Sequence, residues 1–110
     1  MTMQCTKQKT DFINRVTKHL LHHISDSEYS INHLCGDMAM SRTMFYLKLK
    51  SYTGKSPREF IRMFRLDHAA VLLLCGHCVS DVAAEVGFSN TKYFSTAFKK
   101  YFGISPSRFK

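Results

Sequence analysis

Thr43, Tyr46, Leu47 and Lys50 return 49 residues later as Lys92, Ser95, Thr96 and Lys99. Around them there is no carboxylate pair, no nucleophile beside a base and no glycine-rich phosphate loop, so the set does not suit an enzyme. Hydroxyls, a phenol and ammonium groups are suited instead to hydrogen bonding with base edges and phosphate oxygens. Helical geometry sorts them. At roughly 100° per residue, Leu49 and Tyr52 fall near Phe45, and Thr43, Tyr46, Leu47 and Lys50 fall on the far side. The same construction sets Lys92, Ser95, Thr96 and Lys99 opposite Phe94 and Phe98.

The elements that carry these residues are themselves repeated. Residues 31–60 and 79–109 are two versions of one sequence. Upstream of a turn the offset is 48: Ile31 matches Val79, Leu34 matches Val82, Cys35 matches Ala83, Met38 matches Val86 and Met40 matches Phe88. Downstream it is 49: Phe45 matches Phe94, Leu49 matches Phe98, Gly54 matches Gly103, and Ser56-Pro57 matches Ser105-Pro106. The extra residue falls near Ser89–Asn90. A duplication of this kind is one supersecondary module used twice.

Helical signals dominate. Phe12, Ile13, Val16, Leu20, Leu21 and Ile24 have helical spacing over about 9–24. Ser30 can cap a short helix at about 31–37, and Ser41 a third helix at about 42–52 that Gly54 closes. Pro57 opens a long helix at about 57–75, with Phe60, Ile61, Phe64, Ala69, Leu72 and Leu73 inward. Helices at about 80–86 and 90–102 repeat the pair, and Ser105-Pro106 begins a last turn. Ala39 and Gly87 occupy the two turns, where a small or left-handed residue is wanted. The expected fold is all-α with about seven helices: two helix-turn-helix subdomains joined by a long connecting helix. The expected parts are a flexible segment 1–8, a first subdomain 9–56, the connecting helix 57–75 and a second subdomain 76–110.

Charge follows the repeat. The chain carries +8 overall. Residues 41–65 hold seven bases and one acid, Glu59; residues 89–110 hold five bases, Lys110 among them, and no acid. The rest of the chain is net negative. A surface facing phosphates would need this distribution, whereas a merely solvated face would not track a repeat. No stretch is apolar and long enough to span a membrane, and the N-terminus lacks the apolar run of a signal peptide, which points to the cytosol.

Cys75-Gly76-His77-Cys78 has the spacing of a thiol redox pair, so a redox or metal module centred on Cys75 and Cys78 is the alternative reading. The pair follows the apolar run Val71–Leu74, at a helix C-terminus with Gly76 as its cap, which works against thiolate formation. No second cysteine pair completes a zinc site. Cys35 is at a core-periodic position. His19, His22 and His23 read as helix surface. A single-strand or RNA binder would need exposed aromatics for stacking, yet Phe45, Phe94 and Phe98 are spaced as core.

From about residue 10 onward the chain resembles the AraC/XylS family of bacterial transcription regulators. The resemblance rests on Met40-Ser41-Arg42, Leu47-Lys48-Leu49-Lys50, Gly54-Lys55-Ser56-Pro57, Phe60-Ile61-Arg62, Arg65-Leu66, Val86-Gly87-Phe88, Tyr93-Phe94, Phe98-Lys99-Lys100, Phe102-Gly103 and Ser105-Pro106. The wording from Met40 to Gly54 is similar to output domains of hybrid two-component regulators of gut Bacteroidetes. The resemblance implies sequence-specific binding of double-stranded promoter DNA, contact with RNA polymerase, no cofactor, and an upstream sensor or receiver domain. It implies base contacts at Arg42, Thr43, Tyr46 and Leu47 in the first unit and at Thr91, Lys92, Ser95 and Thr96 in the second. Phosphate contacts are expected at Ser41, Lys50, Lys55, Arg58, Arg62, Asn90, Lys99 and Lys100, with Arg65 also near the backbone if its side faces it. The family commonly carries a basic residue where Leu47 stands. Leu47 suits a thymine methyl, or packing on a neighbouring domain. A connecting helix of about 19 residues spans roughly 28 Å, close to the roughly 34 Å between major-groove faces one turn apart. Two recognition helices in successive major grooves are therefore expected.

Overall fold

A computed structural model describes residues 2–109, with side chains from Lys7 onward; Lys110 lies outside the described residues. Seven helices follow one another and the described residues contain no strand: α1 (Thr2–His22), α2 (Ile31–Asp37), α3 (Arg42–Thr53), α4 (Pro57–Leu74), α5 (Val79–Glu85), α6 (Thr91–Phe102) and α7 (Pro106–Phe109). α1 begins at Thr2, earlier than its apolar spacing suggested, so it takes in most of the segment 1–8 that was expected to be flexible.

The duplication is visible element by element. α2 and α5 each have 7 residues, α3 and α6 each have 12, and the second copy keeps the offsets read from the sequence. Ser41 Oγ accepts from the Met44 N–H, and Asn90 Oδ1 accepts from the Tyr93 N–H, so both longer helices start on a side-chain cap. Gly54 (φ 75°) and Gly103 (φ 80°) end them in the left-handed conformation. α2 and α5 also close alike. The Met40 N–H reaches back to the Cys35 carbonyl at 3.0 Å, and the Phe88 N–H to the Ala83 carbonyl at 2.9 Å. Both closures pass through a residue of positive φ, Ala39 at 57° and Gly87 at 85°. Between that residue and the next cap stand Met40 in the first copy and Phe88-Ser89 in the second, which places the inserted residue at Ser89.

The described residues form two compact units. One holds the chain up to His23 and Tyr29–Ile61; the other holds Ile24–Glu28 and the chain from Arg62 on. The expected division at 57–75 therefore differs from this one: α4 is not a separate connector, because its first turn packs with the first unit and the rest with the second. In the first unit, Phe12 of α1 packs its ring on Phe45 (5.8 Å) and Tyr52 (5.4 Å), and Leu34, Met38 and Leu49 are buried. In the second, Leu66, Ala69 and Leu73 of α4 meet Val82, Val86, Phe94 and Phe98. Phe98 also packs its ring against Phe102, tilted, and Phe109, edge-on. Of the residues expected inward on α4, Phe60, Ala69 and Leu73 are buried, while Ile61, Phe64 and Leu72 are half-buried. Leu21 departs from its apolar stripe and is exposed.

Arg65 is the main correction. It does not face outward toward a DNA backbone but is buried, with a relative exposure of 8%. Its Nη1 donates to the carbonyls of Gly87 (2.8 Å), Val86 (3.0 Å) and Ile24 (3.4 Å), and its Nη2 to that of Asp26 (3.3 Å). Burial pulls the guanidinium below its ordinary pKa, and Asp26 partly opposes this. Carbonyls at the end of α5 are the negative pole of that helix, so they favour a cation there. The sequence held one clue. Arg65 sits four residues before Ala69 and eight before Leu73, on the inward stripe.

His23 is likewise not plain helix surface. It stacks on Tyr29 at 4.2 Å and lies 3.8 Å from Asp37. The Tyr29 hydroxyl donates to Asp37, and that bond, more than the nearby histidines, holds the Asp37 carboxyl below its usual range.

The two turns and Arg65 can be tested by substitution. A Cβ on Gly87 would lie 1.6 Å from Arg65 Nη1 and 2.4 Å from the Ile24 carbonyl oxygen. Gly87→Ala should therefore cost well over about 1 kcal/mol, since strain at positive φ adds to the clash. Ala39→Gly should be neutral or stabilise by up to about 1 kcal/mol, because it relieves backbone strain at an exposed residue of positive φ. Urea melts of both variants check the contrast. Arg65→Lys should lose about 2 kcal/mol or more, because an ammonium group cannot fork across four carbonyls and leaves buried acceptors unpaired. A stability unchanged by Arg65→Lys would return this residue to the surface.

Candidate nucleic-acid interface

Burying Phe45 and Leu49 decides which side of α3 is left outside. Arg42, Thr43, Tyr46, Leu47 and Lys50 are all exposed, Tyr46 at 45% and Leu47 at 57%. Arg42, Thr43, Tyr46 and Leu47 line one shallow, open cavity of about 350 Å³. These are the four first-unit residues that the sequence singled out for base contacts. Met44, which the sequence reading passed over, is 50% exposed in the first turn of the same helix. Its neighbour Phe45 hid it from a reading based on apolar spacing.

On α6, burial of Phe94, Ala97 and Phe98 leaves Thr91, Lys92, Thr96, Lys99 and Lys100 exposed. Ser95 is half-buried, so it stands at the edge of the face rather than on it. The Thr96 hydroxyl donates to the Lys92 carbonyl at 3.1 Å, which leaves its lone pairs to accept. Tyr93 is a further exposed residue of this helix, and its phenol oxygen accepts from Arg62 of α4 at 2.9 Å.

The caps leave donors at both helix starts. Ser41 uses an oxygen lone pair for the Met44 N–H and keeps its own O–H. Asn90 uses Oδ1 for the Tyr93 N–H and keeps its Nδ2 hydrogens. Such donors, beside the positive pole of a helix, suit an anionic oxygen.

Electrostatics separates this face from an ordinary charged surface. Among the described residues, Arg42, Lys50, Lys55, Arg58, Arg62, Lys92, Lys99 and Lys100 have no carboxylate within 4 Å. The acid inside the first basic stretch is already engaged. Glu59 accepts from the Ser56 N–H while Ser56 Oγ accepts from the Glu59 N–H, a capping box at the start of α4. The bonds from Ser56 hold the Glu59 carboxyl below its ordinary pKa. Arg58 is exposed, and Lys55 and Arg62 are half-buried.

The thiol alternative finds no support. Cys75 and Cys78 are exposed free thiols, and the described residues hold no group of three His, Cys, Asp or Glu placed to bind a metal. Cys75 does follow the end of α4, but Cys78 is the N-cap of the short α5, so the two do not share the helix C-terminus expected of them. Phe45, Phe94 and Phe98 are fully buried and offer no stacking platform. No helix among the described residues is long and apolar enough to cross a membrane.

Comparison with known proteins agrees with this geometry. A family model described as a helix-turn-helix domain matches residues 34–110. The Msm operon regulatory protein of Streptococcus mutans is 32% identical over 100 residues, which are 90% of this chain and 36% of that protein. Histidine kinase P4 of Formosa agariphila is 33% identical over 88 residues, 79% of this chain and 6% of that protein. The chain thus spans only a minor part of these curated relatives' length. The DNA-binding domain of AdpA, a global transcriptional factor solved in complex with a target DNA, superposes with a TM-score of 0.77 at 26% identity, covering 86% of this chain and 85% of that one. Two helix-turn-helix modules with matched caps, outward faces rich in unpaired bases, and this set of relatives lead to one assignment: the chain belongs to the AraC/XylS-type helix-turn-helix family and is a DNA-binding domain of a transcription regulator, not an enzyme.

Proposed function

We propose that this domain is the output part of a larger bacterial regulator and reads promoter DNA with two recognition helices, each in a major groove. α3 meets base edges through Arg42, Thr43, Tyr46 and Leu47, and α6 through Thr91, Lys92, Ser95 and Thr96. Ser41, Lys50, Lys55, Arg58, Arg62, Asn90, Lys99 and Lys100 meet phosphates. The observation that carries this reading is the recurrence, on two helices of 12 residues each, of an exposed face of hydroxyls and bases opposite a buried apolar pair, Phe45 and Leu49 on α3 and Phe94 and Phe98 on α6. Lys92 suits the O6 and N7 acceptors of guanine, and Thr96 suits an exocyclic amine. Leu47 suits a thymine methyl.

The rest of the reading concerns the longer protein. The relatives exceed this chain several-fold in length, and one of them is named a histidine kinase. A sensor or receiver part feeding a two-component signal to this domain, activation through RNA polymerase, and action in the cytoplasm are consistent with that.

Selection of bound genomic fragments, followed by footprinting, tests the reading directly. Tyr46→Ala and Lys92→Ala should each cost about 1–3 kcal/mol on the preferred site and less on random duplex. Their losses should map to separate sets of base pairs; loss of discrimination at the same base pairs would overturn the two-helix reading. Leu47→Ala should leave the urea midpoint nearly unchanged, within about 0.5 kcal/mol. If Leu47 meets a thymine methyl, uracil at that position weakens the wild type but not the Leu47→Ala protein. Binding should also fall steeply with salt, with a log–log slope of about −0.9 per phosphate neutralised. A slope near zero would exclude nucleic acid as the partner.

A further inference from the structure

Arg62 and Tyr93 stand apart from the other residues of the basic face because one holds the other. Arg62 Nη2 on α4 donates to the phenol oxygen of Tyr93 on α6 at 2.9 Å. Tyr93 is itself well fixed. Its N–H is tied to Asn90 Oδ1 at 2.6 Å, and its ring lies 5.6 Å from the ring of Phe88. Phe88 in turn packs at 5.3 Å on Phe94, which is fully buried. A chain of contacts therefore runs from the core of the second unit to an exposed phenol, at 46% exposure, and ends on a guanidinium.

Among the described residues, that guanidinium has no carboxylate within 4 Å. An arginine has five N–H donors in a planar fork. One is used by Tyr93, and four remain. A long side chain on a helix surface normally samples many rotamers, and ordering it on a ligand opposes binding. Here the ordering is done beforehand, by a neutral acceptor that leaves the positive charge uncancelled. A carboxylate in place of the phenol would hold the arginine equally well but would compete with a phosphate.

We propose that Tyr93 is a positioning residue that presets the Arg62 guanidinium for one DNA phosphate. The inference rests on the reading of Arg62 as a phosphate contact. Tyr93 then contributes to affinity without reading sequence, although it stands in the first turn of a recognition helix. It acts through Arg62.

The test is a double-mutant cycle on duplex DNA, with affinity measured over a range of salt concentrations on the preferred site and on random duplex. Tyr93→Phe keeps the ring and its contact with Phe88 and removes the acceptor. It should weaken binding about three- to tenfold on both DNAs alike, with an unchanged melting temperature. Arg62→Ala should weaken binding at least as much and reduce the magnitude of the salt slope by about one. In the Arg62→Ala background, Tyr93→Phe should have no further effect. Wild-type affinity in Tyr93→Phe, or the same loss persisting without Arg62, would overturn the proposal; the second result would mean that Tyr93 touches DNA by itself. A fall in melting temperature that accounts for the loss would overturn it too. Absence of any salt-dependent duplex binding by the wild type would instead overturn the DNA reading on which the proposal rests.

Discussion

The second unit is organised around a buried cation that has no carboxylate within 4 Å among the described residues. Arg65 replaces the water it loses with four backbone carbonyls, two from the turn after α5 and two from residues 24–28. A buried charge is tolerated only when its donors are met, and a helix C-terminus supplies acceptors that already carry partial negative charge. The consequences spread from there. Gly87 must lack a side chain, because the guanidinium occupies the place a Cβ would take. Residues 24–28 join the second unit although the helices on either side of them belong to the first, so the chain passes between the units there as well as along α4. The turn that Arg65 grips leads directly to the cap of α6, so the start of that helix is tied to the core.

The two copies reach the same outward face by different means. The first unit has Phe12 from α1 to cover Phe45, and its turn holds an exposed alanine, Ala39, at positive φ. The second unit covers Phe98 with Phe102 and Phe109, and its turn needs glycine. The added residue, Ser89, lengthens the second turn before the cap. Burial of Phe45 or Phe94 sets where the outward face points, and the residue filling the space behind it is free to differ.

Charge is arranged with similar economy. Acids are engaged elsewhere: Glu59 closes a capping box, and Asp37 accepts from Tyr29 beside His23. The bases of α3, α4 and α6 are left without ion pairs among the described residues. Mutual repulsion of such bases opposes the compact state. A polyanion that neutralises them removes that repulsion and gains from counterion release. The same uncompensated charge that costs the free domain stability is what a DNA partner would use.

Much of this was legible in the sequence, because much of it is local. Helix ends follow from caps within three residues, as at Ser30, Ser41, Gly54 and Gly103, and the faces of α3 and α6 follow from the period of Phe45, Leu49, Phe94 and Phe98. The repeat doubles the signals for the caps and faces of α3 and α6, though not the Ser30 cap, whose counterpart Cys78 makes no side-chain cap bond. Tertiary structure decided the rest. Arg65 lay in a run of bases that otherwise stays at the surface, and only the arrival of carbonyls from residues 24–26 and 86–87 turns it inward. Leu21 belongs to an apolar stripe, yet it is left 52% exposed. His23 looked like surface until Tyr29 folded back to stack on it. Tyr93 carried no sign of its tie to Arg62, 31 residues away. Long side chains reach several ångströms beyond their own element, so what they meet depends on which distant backbone arrives beside them, and a local pattern holds no record of that.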